Sequence, residues 1–239
     1  TNAFGADTVG ASVYVDGVAV SGPDATMTLK SGRIAGLTEL RDETTLTYQN
    51  QIDEIARGLI DTFTETDPTG TAPAMQGLFT ASDTADAGVA GRLGVNAAVD
   101  ANKGGSATLI RDGGINGTDY VRNADGAESY ADWLGTLTDS LSETRTFSAS
   151  GKIETNGTLA DYASASVSWL SGERQAASTK TTSESALLTY ASTALSNATG
   201  INLDDEYARQ LELEKTYQAS SKLIGVINEL YAALFQAVG

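Results

Sequence analysis

The sequence predicts a mainly α protein, an elongated antiparallel helical bundle with a smaller β-containing part. Three observations lead there. Apolar residues recur at helical spacing through three segments, 36–65, 159–198 and 203–237. Gly200 and Asn202 stand between the last two as a helix end and a helix start. Valine-rich or irregular runs broken by Gly, Ser, Asp and Asn fill residues 1–30 and 67–124.

In chain order, Thr8 to Ser21 carries Val9, Val13, Val15, Val18 and Val20 around Asp16-Gly17, the pattern of two short strands joined by a tight turn. Ser21-Gly22-Pro23-Asp24 breaks the run, and Met27 to Lys30 is a candidate third strand. From Leu37 to Phe63, the positions Leu37, Leu40, Tyr48, Ile52, Ile55, Leu59 and Phe63 step at helical intervals. Arg41, Asp42, Glu43, Asp53, Glu54 and Asp61 lie between them and read as a solvated face. Asp67-Pro68-Thr69-Gly70 ends the helix, and Leu78-Phe79 is a local core anchor.

Residues Ala81 to Gly126 are the least regular, with short strands expected at Leu93 to Val99 and Ala107 to Ile110. Asp100 to Gly105 opens like a calcium loop, but its fifth position is Gly, and Arg111 stands where a bidentate acid is required. Gly104-Gly105-Ser106 lacks the lysine of a phosphate cradle and reads as a turn. Helical spacing returns with Tyr130, Trp133, Leu134, Leu137 and Leu141. Leu159, Tyr162, Val167, Leu170, Leu187, Leu188, Ala191 and Leu195 then share the inner side of one long helix. Gly172 costs that helix only about 1 kcal/mol relative to Ala, so it is expected to continue. The resulting segments are 1–35, hairpin-rich; 36–66, a bundle helix; 67–125, irregular with short strands; and 126–239, completing the bundle.

The last segment is the most patterned. Asn202 suits an N-cap, with Asp204, Asp205 and Glu206 at the positive end of the helix dipole, and Gly200 suits a left-handed helix end. Leu223, Ile227, Leu230 and Leu234 form one stripe, and Tyr217, Ile224, Tyr231 and Val238 a second at sevens. A helix of about 35 residues spans roughly 50 Å, more than the chain's own core needs. Part of the stripe is therefore expected to meet other molecules, with an internal core as the competing explanation. The half near Leu203, Tyr207 and Leu211 is assigned to the bundle, and the half beyond Tyr217 to a neighbour.

Composition narrows the chemistry. The chain has 239 residues, 41% of them apolar, enough to build a core. It contains no cysteine and no histidine, which removes disulfides, thiol nucleophiles, Ser-His-Asp triads and His-ligated zinc. A formal charge of −16 disfavours phosphate backbones and anionic lipid, so neither nucleic acid nor membrane is an expected partner. Asn228 and Glu229 interrupt the best apolar run. An enzyme could rest on carboxylates, for example a glycosidase using two of Asp112, Asp119, Asp125 or Glu128, but no strand or loop context fixes any pair at a catalytic separation. No catalytic, cofactor or metal residue is assigned.

The run G-I-N-L-D-D-E at Gly200 to Glu206, with Leu203 inside it, precedes T-Y-Q-A-S at Thr216 to Ser220, whose Gln218 and Ala219 stand at its centre. Upstream lie G-L-T-E-L-R-D-E at Gly36 to Glu43 and Q-I-D-E-I-A-R-G-L at Gln51 to Leu59. Together these resemble the flagellar hook-associated protein 1 family. The Y-Q-A element is shared with hook and rod proteins, and the match covers about half of the chain. The resemblance implies a sequence lacking the family's amino-terminal helix, and export through the flagellar type III apparatus to the extracellular flagellum. It implies a motility role as a structural subunit of the hook-filament junction. Expected partners are hook protein, the second hook-associated junction protein, an export chaperone and further copies in a ring. Tyr217, Leu223, Ile224, Ile227, Leu230, Tyr231 and Leu234 are the expected contacts, in coiled-coil-like packing. Alternatives are another axial protein, flagellin or hook protein, or a secreted adhesin or glycan-binding module.

Overall fold

The computed structural model describes residues 10–200 and 202–239, without the Val238 side chain. Thr8, Val9 and Ile201 of the expected elements lie outside the described residues. The protein is mainly α with a small β part. The chain divides into two units, Thr1–Thr181 and Thr182–Gly239.

In the first unit, strands β1 (Val13–Val15) and β2 (Val18–Ser21) pair antiparallel around Asp16-Gly17. Both turn residues have positive φ, 50° and 80°, as a two-residue primed turn requires. The candidate third strand is absent. Leu29 instead donates one backbone hydrogen bond to the Val20 carbonyl, 3.0 Å. The predicted helix spans α1 (Gly32–Glu39), a π segment (Leu40–Thr44) and α2 (Thr45–Thr62). In the π turn the Thr45 amide donates to the Leu40 carbonyl, and the Thr45 hydroxyl donates to the same oxygen at 2.7 Å.

Helix α2 is the centre of this unit and serves two apolar clusters. Ala56 and Ile60 bury with Val89 against Phe79, Ala81, Ala90 and Leu93. On another side, Ile55 and Leu59 pack on Phe147, Leu159 and Tyr162. Phe147 and Tyr162 stack at 4.0 Å, and Phe63 meets Phe79 edge-on at 5.3 Å. The buried set therefore extends around the helix and includes Thr47, Gln51, Asp53, Gly58 and Thr62.

Between α2 and Thr158 the structure is largely irregular. It holds the two-residue pair β3 (Phe79–Thr80) and β4 (Gly94–Val95), and the short helix α3 (Thr108–Asp112). The expected strand at Ala107 to Ile110 is thus mostly helix, since Leu109, Ile110 and Gly113 donate to carbonyls three or four residues back. Helix α4 (Asp132–Leu141) buries Trp133 and Leu137. Strands β5 (Arg145–Thr146) and β6 (Asn156–Gly157) lead into α5 (Leu159–Thr199), which Gly172 does not break.

The antiparallel pairing lies between α1–α2 and the first half of α5. Leu159 occupies the space left by Gly58, where a Cβ would stand 2.6 Å from its methyl. The Ser166 hydroxyl donates to the Gln51 side chain at 2.7 Å. Tyr48 stacks on Trp169 with ring centres 6.5 Å apart, and Lys180 pairs with Glu39 at 2.9 Å. Residue numbers fall on one helix as they rise on the other.

Candidate assembly surface

The second unit holds the rest of α5 and α6 (Leu203–Val238). Its amino-terminal cap forms as the residue types dictate. The Asn202 side chain accepts from the Asp204 amide at 3.1 Å and donates to the Asp205 carboxylate at 3.0 Å. Glu206 closes the first turn by donating to the Asn202 carbonyl at 3.1 Å. Three acids thus face the helix's positive end. Gly200 departs from expectation: its backbone is not left-handed. It donates to the Ser196 carbonyl at 2.6 Å, and a Cβ there would collide with that same oxygen. Close approach, and not positive φ, explains the glycine.

No described residue of Thr182–Gly239 is buried. The expected bundle positions Leu203, Tyr207 and Leu211 are 65%, 66% and 56% exposed. Leu187, Leu188 and Leu195 are equally open, as is Val167 of the first unit, so of the expected inner side of α5 Leu159 and Tyr162 are buried and Leu170 is half-buried. The packed αα-hairpin read from the sequence is therefore corrected. The two helices form, but no described residue of this unit is buried between them.

The predicted contact residues behave as a single set. Tyr217, Leu223, Ile224, Ile227, Leu230, Tyr231 and Leu234 are all exposed, from Ile227 at 44% to Tyr217 at 75%. At 100° per residue they cover an arc of about 140°. Lys215, Lys222, Glu229 and Gln236 follow each other at sevens on the opposite side. Gln218 reaches back to Glu214 at 3.4 Å, and Ala219 is exposed beside it. Apart from its chain neighbours and its own helix backbone, no described heavy atom lies within 4 Å of where a Gly225 Cβ would stand.

The first unit offers a different surface, an open groove of about 570 Å³. Val20, Leu29, Ala35, Thr38, Glu39 and Asp42 are among the residues lining it, and among the described residues none of those lining it is aromatic. Its acids are already engaged, Glu39 by Lys180, Asp42 by Arg41 and Glu43 by Lys152. Asp42 is held below the ordinary carboxylate range chiefly by its hydrogen bond from Arg41.

Sequence reasoning missed three buried carboxylates near α2. Asp53, read as part of a solvated face, is 1% exposed and accepts from the Gly88 and Ala90 amides at 2.6 and 2.9 Å. Glu65 accepts from the amides of Gly114, Ile115 and Asn116 and from the Asn116 side chain, all within 3.0 Å. Asp67 accepts from the Thr69, Thr71 and Ala72 amides and from both threonine hydroxyls. The amide of Ala72, followed by that of Thr69, holds Asp67 well below the usual carboxylate range. All three pin loops whose amides lack partners in a strand or helix. Gly and Asn in the receiving loops, Gly88, Gly114 and Asn116, were the available signal.

Of the carboxylates weighed for glycosidase chemistry, Asp112 and Glu128 both meet Arg111, Asp112 through its side chain and Glu128 through its backbone carbonyl at 3.3 Å. Asp112 is taken by Arg111, with bonds of 2.7 and 2.9 Å, and by the Asn123 amide at 2.7 Å. These partners, Arg111 first, lower its pKa. Asp119, Asp125 and Glu128 are exposed. Tyr120 is buried, donating to the Pro73 carbonyl at 2.7 Å, and Arg122 lies over Trp133 at 3.8 Å. These aromatic groups support the core. Asp100, which opens the calcium-like loop, accepts from the Asn102 amide and pairs with Lys103. Among the described residues, no group of three or more acidic, His or Cys side chains is arranged to hold a metal ion, and no helix is long and apolar enough to cross a membrane.

Compared with known proteins, the chain matches no family model, and no curated protein or solved structure matches it.

Proposed function

We propose that this chain is a structural subunit of the bacterial flagellar hook-filament junction, working by axial packing of α6 against neighbouring subunits. The observation that carries the reading is the continuous exposure of the stripe from Tyr217 to Leu234. Burying one such side chain contributes about 1.5–3 kcal/mol, so seven of them left in water are a large unspent driving force for association. An arc of about 140° is wider than the narrow seam of a two-stranded coiled coil and fits a helix with more than one neighbour.

The family resemblance supplies the setting: export through the flagellar type III apparatus, an extracellular position, and hook protein, the second junction protein and an export chaperone as partners. Gly200, Asn202, Leu203, Asp204, Asp205, Glu206, Gln218 and Ala219 are the residues that carry this resemblance in α6 and its cap. A glycan-binding role draws less support, because among the described residues no aromatic side chain lines the groove of the first unit and the acids there are ion-paired. Flagellin or hook protein remains the nearest alternative within the same assembly class.

The test is to mix the protein with isolated hooks and then add filament subunits. The junction reading predicts caps on hook ends that nucleate filaments. Absence of binding to hooks would count against it, and binding to glycans without hook binding would favour the adhesin.

A further inference from the structure

We draw no further inference here: the strongest candidate, the exposed apolar stripe of α6 from Tyr217 to Leu234, belongs to the surface already proposed for assembly, and nothing in the structure shows what covers it.

Discussion

Glu65 stands just beyond the central helix with both carboxylate oxygens filled by four donors. Replacing it with Gln turns an NH2 group toward backbone N–H groups and leaves donors facing donors in a site that is 2% exposed. Glu65→Gln is expected to cost about 3 kcal/mol in urea unfolding. Tyr162 is the opposite case. Its hydroxyl is buried without a hydrogen-bond partner among the described residues, and burial together with the Glu54 charge pushes its pKa up to about 12. Removing an unpaired polar atom relieves a desolvation cost, so Tyr162→Phe should be neutral or stabilising by about 1 kcal/mol. A loss of several kcal/mol in the same experiment would reveal a missing partner.

Asp67 contributes a pH dependence of its own. Its pKa is depressed in the folded state, so its contribution is complete above the ordinary value of 3.8 and is lost as pH falls below it. Melting temperatures of the wild type and Asp67→Asn should differ at neutral pH and converge in acid; a constant gap would contradict the assignment. None of these three carboxylates announced itself in the sequence. A helix-period pattern marks where apolar residues fall, whereas Asp53 is buried because the loop at 88–90 folds over it. That loop has no period to read.

At the level of elements, local spacing was informative and pairing was less so. The helices containing Gln51, Trp133, Leu159 and Leu223 all appear where their apolar residues predict them. The Asp16-Gly17 turn followed directly from its positive-φ chemistry. The Ala107 to Ile110 run failed as a strand because a short apolar run fits either state, and its neighbours offer helical hydrogen bonds. Within α6, Gly225 sits exposed in the helix interior with no described atom beyond its own helix backbone and chain neighbours near its Cβ position. Gly225→Ala should stabilise the isolated chain by about 1 kcal/mol through helix propensity. Circular dichroism melting would check this, and a destabilised variant would mean that the position is crowded after all.

For the whole molecule, legibility divides along the chain. The first unit has a core built on α2, while Thr182–Gly239 has helices without burial among its described residues. Periodicity exposed the stripe of α6, because Leu, Ile and Tyr at helical intervals are visible in any sequence. It did not reveal whether those residues close on the chain itself, which is why Leu203, Tyr207 and Leu211 were assigned to an internal bundle and are found exposed. Amphipathic pattern records that a face prefers to leave water, not which surface receives it.

The central claim is that the stripe beyond Tyr217 packs between subunits. Ile227→Asp tests it most directly, because Ile227 lies within the stripe and is 44% exposed in the single chain. The measurement is co-sedimentation with isolated hooks, made alongside thermal melting of the soluble protein. The account predicts an unchanged melt and lost hook binding. An Ile227→Asp chain that binds hooks as the wild type does would contradict it.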